Sequence, residues 1–102
     1  MTWKVVARPQ ARNDVAEAAE WYDRQREGLG DEFIEEVLEV FDALELNPLQ
    51  HCRRHPTKNI RWRYPKRFPY RVIYEVMEEE RLVVIAAVIH AARHDRVWSR
   101  RF

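Results

Sequence analysis

Residues 82–90, LVVIAAVIH, carry no charged side chain and are apolar at both even and odd positions. A strand with one wet face alternates apolar with polar, so this run reads as a central strand covered on both sides. It is far too short to span a bilayer. The rest of the chain must therefore supply strands at its edges and layers on its faces.

The periodicity before it divides cleanly. Trp3, Val5 and Ala7 alternate with Lys4, Val6 and Arg8, a short first strand that Pro9 ends. From about Ala11 the spacing turns helical, with Ala11, Val15, Ala18, Ala19 and Tyr22 on one stripe. Gly28 is placed to stop this helix and Gly30 to let the chain turn. A second helix starts near Asp31, with Ile34, Val37, Leu38, Phe41 and Leu44 as its apolar stripe and Phe33 alongside. Its other face is an acidic row of Glu32, Glu35, Glu36, Glu39, Asp42 and Glu45, read as solvated, with a docking face or a mimic of nucleic-acid charge as the functional alternative. Asn47 and Pro48 close it. So short a connection makes the two helices antiparallel neighbours. Residues 49–58 read as a loop, and residues 59–64 and 69–77 as strands around a basic turn at 65–68. Glu78, Glu79 and Glu80 form a hairpin loop. A charged tail from His94 to Phe102 is expected to form a last short helix, packing Val97, Trp98 and Phe102 inward. The order is β-α-α-β-β-β plus a terminal helix. That is a single α+β domain over residues 1–102, its helical hairpin lying on one face of a small antiparallel sheet. Arg61, Arg63 and Arg71 are expected together on the other face, with Arg71 exposed, while Tyr70 and Tyr74 pack under the helices. Trp21 and Trp98 read as packing residues.

Charge is distributed unevenly along this order. The whole chain is only +1, yet residues 1–50 hold five bases and twelve acids, a net of −7. Residues 51–102 hold thirteen bases and five acids, a net of +8. Residues 51–74 contain eight bases and no acid, threaded with Trp62, Tyr64, Phe68, Tyr70 and Tyr74. Such a surface suits a polyanion or an acidic protein partner. The two halves can also attract each other within one fold. A single cysteine, Cys52, excludes an internal disulfide, and with no signal-peptide layout the expected compartment is the cytoplasm, with no membrane partner. Cys52 between His51 and Arg53 is a weak candidate nucleophile. His90 and His94 lie four apart at a strand-to-turn junction without a third ligand of suitable spacing, so neither a metal nor another cofactor is expected.

Three stretches carry a family resemblance. EWYDRQREGLGDEF (residues 20–33) resembles the aromatic-ended first helix and Gly-Leu-Gly turn of ParE-like toxins. FPYRVIYEV (residues 68–76) resembles their Phe-Pro-Tyr strand, and AVIHAARHDRVWSRR (residues 87–101) their closing strand and Trp-bearing turn. Together they identify the chain as a member of the RelE/ParE superfamily of type II toxin–antitoxin toxins, nearest the ParE-like branch. The resemblance implies the same β-α-α-β-β-β fold, a cognate antitoxin as partner, and growth inhibition, with DNA gyrase as target. Its RelE-like alternative is a metal-independent endoribonuclease acting on messenger RNA at the ribosome. A further alternative is a non-toxic module of a repressor complex.

For a nuclease, the positions that match are Arg71, Arg93, His90 and His94 as catalytic groups. Arg61, Arg63, Lys66 and Arg67 are then the nucleic-acid or partner-binding bases. Metal-free RNA cleavage needs a base for the 2′-hydroxyl, an acid for the leaving oxygen and positive charge on the phosphate. Arginine stands at the first basic pair where RelE-like enzymes use lysine. A guanidinium clamps phosphate well but is a poor base. The tail also lacks the tyrosine that many RelE-like nucleases keep, which leaves His90 and His94 as the groups titrating near neutrality.

Overall fold

The computed structural model describes residues 2–102. Strand β1 (Lys4–Ala7) leads into helix α1 (Pro9–Gln25), and helix α2 (Leu29–Leu46) follows. Strands β2 (Ile60–Arg63), β3 (Tyr70–Met77) and β4 (Leu82–His90) come next, and helix α3 (Arg96–Ser99) closes the chain. Pro9 both ends β1 and opens α1, because its fixed φ and missing N–H suit the first helical turn. The sheet order is β1-β4-β3-β2. β2, β3 and β4 are antiparallel as expected, and β1 joins the sheet parallel to β4. β4 is thus central, flanked on both edges, as its apolar composition requires.

The hairpin turns at Gly28, whose φ of +87° is a left-handed conformation that glycine adopts without strain. Gly30 has a different role from the expected turn. It lies inside α2, where a Cβ would stand 2.3 Å from the Ala19 carbonyl oxygen and 2.8 Å from Asp23. Its N–H donates to Asp23 Oδ1 at 2.7 Å, so a side chain of α1 satisfies the first turn of α2.

The main core lies between the hairpin and the sheet. Phe33, Val37, Val40 and Leu44 of α2 and Ala11, Ala18 and Ala19 of α1 meet Val72, Tyr74, Val76, Val83, Ile85 and Val88. Leu38, placed on the buried stripe by spacing, is 51% exposed, and Val40 takes the inward position. Tyr74 is fully buried and donates to the Pro48 carbonyl at 3.2 Å; Tyr70 packs against the same core, as expected. A second, smaller core of Ile60, Ile73, Ala87, Ile89 and Trp98 fills the opposite face, with Trp62, Val97 and Phe102 packed against it. The terminal segment therefore covers this face through the residues expected to turn inward.

One irregularity shapes the site. Tyr74 pairs with Ile85 and Ile73 with Ala87, so Ala86 is an extra residue in β4. The side-chain phase flips there, and Val88 joins the hairpin face with Val83 and Ile85. β1 pairs with β4 only as far as Ile85. Beyond that, Asp14 Oδ2 accepts from the Val88 N–H at 3.0 Å, and Arg101 Nη1 donates to the Ala86 carbonyl at 2.9 Å. Arg101 also grips both oxygens of Asp14, at 2.6 and 3.2 Å.

Candidate functional site

The basic residues separate into those spent inside the fold and those left on its surface. Register decides the faces, since residues directly opposite on paired strands share a face. Arg61 pairs with Tyr74 and Arg63 with Val72, which places both on the hairpin face, whereas Arg71 lies on the other. The three do not form one surface as expected. Arg61 donates to the carbonyls of Leu49 at 2.8 Å and His51 at 2.5 Å and to Asn59 Oδ1 at 2.9 Å, tying down the loop after α2. Arg67 binds Glu32 at 3.0 Å and Glu36 through both its backbone N–H (2.9 Å) and its guanidinium. Glu36 is buried, so the acidic row is not wholly a solvated face; Glu35, Glu39, Asp42 and Glu45 are the exposed part. Hydrogen bonds from Arg67 and then Arg26 hold the Glu32 carboxyl below its ordinary range. With Asp14–Arg101, these pairs make the charge division partly self-complementary. Lys66 is exposed and shares a shallow surface cleft with Arg63, Glu36 and Glu39.

Arg71, expected on an exposed face, is 5% exposed. Its guanidinium donates to Asp95 Oδ1 at 2.8 Å and to the Arg93 carbonyl at 2.9 Å, and it lies 4.9 Å from the Trp62 ring centroid. Trp98 Nε1 donates to the same Asp95 oxygen at 3.2 Å. Hydrogen bonding by Arg71 and then Trp98 holds the Asp95 carboxyl below its ordinary value. Arg71 is a clamp that fastens the tail to the sheet.

His90 lies on the hairpin side. It pairs with Tyr70, next to the Arg71–Ile89 pair, so alternation along the strands puts His90 and Arg71 on opposite faces. His90, Tyr70 and Arg93 line a cleft of about 180 Å³ together with Trp21, Glu17 and Asp14 of α1. Tyr22 and Pro69 extend it beside Trp21. The Tyr70 and His90 rings meet edge to face at 5.4 Å. His90 Nδ1 accepts from the Ala92 N–H at 3.0 Å, which assigns the proton of the neutral ring to Nε2. Burial raises the Tyr70 phenol, and the nearby Arg93 opposes that shift. His94 is exposed, and its Nδ1 accepts from the Arg96 N–H at 3.1 Å, so it shapes the turn into α3.

The four candidate catalytic groups are therefore not assembled. His90 and Arg93 share the cleft, Arg71 is locked on the other face, and His94 serves the turn. Spacing missed Glu17 and Trp21. Trp21, read as packing, is 48% exposed. Its signal was its place beside Tyr22 but off the apolar stripe of α1. His51 sits in the basic loop, where burial and then Arg63 and Arg54 lower its pKa. Cys52 beside it is exposed.

Comparison with known proteins bears on this geometry. A solved chromosomal ParDE toxin–antitoxin system from P. aeruginosa superposes with a TM-score of 0.73 at 13% identity, over 86% of this chain and 95% of that one. The toxin–antitoxin complex RelBE2 from Mycobacterium tuberculosis gives 0.60 at 22% identity, over 88% and 99%. A doubly arginine-substituted E. coli toxin RelE in the free state gives 0.63 at 16% identity, over 97% and 93%. At these identities the likeness is one of fold. No curated protein matches significantly by sequence. The family model described as the ParE toxin of the type II toxin–antitoxin system, parDE, matches residues 5–95, nearly all of the folded chain, and the chain belongs to that toxin family.

Proposed function

We propose that this toxin arrests growth by a ParE-type action on DNA gyrase, without cutting RNA, and is silenced in the cytoplasm by a cognate antitoxin. The observation that carries the reading is the separation of Arg71 from His90. A phosphate held near His90 lies across the sheet from the Arg71 guanidinium, which is buried on the other face and bonded to Asp95 and the Arg93 carbonyl. A metal-free nuclease needs its base and its phosphate clamp around one scissile bond. The antitoxin partner is supported by the family and by the paired composition of two of the similar structures, the ParDE system and the RelBE2 complex.

A second reading keeps one observation of its own. Tyr70, His90 and Arg93 do share a cleft, and they supply a phenol, an imidazole and a cation for ribosome-dependent cleavage of messenger RNA. Pulse labelling after induction of the chain alone separates the two. Thymidine incorporation should fall first while amino-acid incorporation persists, and His90→Ala should remain toxic. An early fall in protein synthesis that His90→Ala abolishes would establish the ribonuclease instead.

A further inference from the structure

We infer that the cleft between α1 and the end of the β3–β4 pair is a binding site for a nucleotide, with guanine preferred as the base. The inference goes beyond the choice of target, because it concerns what this cleft holds and not what the toxin disables.

The cleft has three chemically distinct parts. Its walls are aromatic. Trp21 presents half its surface to solvent from α1, and Tyr70 and His90, in edge-to-face contact with each other, line the same cleft. An exposed aromatic face such as that of Trp21 takes a planar heterocycle by stacking, an interaction indifferent to which base is bound. Arg93 is exposed and lines the same cleft, where its guanidinium suits a phosphate. Glu17 supplies an acceptor. Of the two carboxylates lining the cleft, Asp14 is consumed by Arg101 and the Val88 N–H, whereas Glu17 is exposed and accepts from Asn13 Nδ2 at 3.2 Å. A carboxylate has two acceptor oxygens. Guanine offers it two neighbouring N–H donors on its pairing edge, and adenine offers only its exocyclic amine, hence the preference. A guanidinium group from a peptide would also stack and pair with Glu17, but Arg93 repels it and attracts a nucleotide's phosphate.

The test is calorimetric titration of the whole chain with GMP, AMP, guanosine and arginine amide. A thymidine pentamer carrying one central guanine is titrated alongside. GMP should bind, with guanosine about tenfold weaker for want of the phosphate. Trp21→Ala should weaken GMP by about tenfold or more. Glu17→Gln should bring GMP and AMP to parity, and Arg93→Ala should make GMP bind no better than guanosine. All three positions are exposed, and an unchanged circular dichroism spectrum confirms the fold. A pentamer that binds more tightly than GMP identifies a single strand as the natural source, and equal affinity identifies the free nucleotide. Three results would overturn the site: no binding of GMP or pentamer at millimolar concentration, GMP affinity untouched by Trp21→Ala, or stronger binding of arginine amide than of GMP. None of these alters the pulse-labelling outcome, so the site and the target reading fall separately.

Discussion

The two faces of the sheet are covered in different ways. On one, a hairpin of 35 helical residues, 17 in α1 and 18 in α2, buries Phe33, Val37 and Leu44 against Val72, Tyr74 and Ile85. On the other, a tail with a single four-residue helix covers Ile60, Ile73, Ala87 and Ile89 chiefly with Trp98. Four residues are too few for a helix to hold itself. The tail compensates with polar ties: Arg71 to Asp95 and the Arg93 carbonyl, Trp98 to Asp95, and Arg101 to Asp14 and the Ala86 carbonyl. Arg8 adds a bond to the Arg101 carbonyl and lies 5.5 Å from the Phe102 ring centroid. Apolar burial is non-directional and insensitive to pH, whereas these ties depend on charge and geometry. The hairpin face should therefore set global stability, and the tail face should answer to single polar substitutions.

The strongest way to break that contrast is Phe33→Ala. The ring is fully buried and meets Tyr22, Phe68 and Tyr70 at 5.0–5.4 Å. Its loss should cost about 3–5 kcal/mol and move the whole denaturation transition, with hairpin and tail unfolding together. A change confined to the tail would mean that the hairpin face does not set global stability. Asp14→Ala comes next. It strands a half-buried Arg101 and removes the partner of the Val88 N–H, for an expected loss of about 3 kcal/mol. Amide exchange should then accelerate at residues 96–102 and beside the Ala86 bulge before it does in α2.

These ties are also where the sequence was least legible. The hairpin followed from spacing and a short connection, and the central place of β4 from its composition. Alternation along residues 59–64 correctly put Arg61 and Arg63 opposite Trp62, but it could not say which side faced the helices. Both sides of the sheet are covered, so an arginine side had no obligatory solvent to face. Arg71 looked exposed for the same reason, and its partner Asp95 lies 24 residues away. Asp14 lies 87 residues from Arg101, and the Ala86 bulge that requires both leaves no mark in an apolar run. In the cleft, His90 and Arg93 were legible as the groups that end a strand and follow it. Glu17 and Trp21 belong to it only because the sheet brings α1 alongside the end of β4.

The finest test of the contrast is acid titration of the tail. Hydrogen bonds from Arg71 and then Trp98 hold the Asp95 carboxyl below its ordinary value of 3.8. The folded form therefore releases this proton more readily than the unfolded form does. The stabilisation is complete above pH 3.8 and fades as the pH falls below it, through the depressed folded value. Asp95 is 62% exposed, so solvent screens its carboxylate, but Arg71 is buried and would keep only the Arg93 carbonyl, so Asp95→Ala should cost about 2 kcal/mol, less than Asp14→Ala. The effect should be local. On acidification the indole N–H resonance of Trp98 should shift as its acceptor is protonated, while resonances of Val37 and Leu44 hold. In Asp95→Asn that shift should vanish. If the two faces instead lose structure together in acid, with or without Asp95, then polar ties do not distinguish them and the tail is held by Trp98 burial alone.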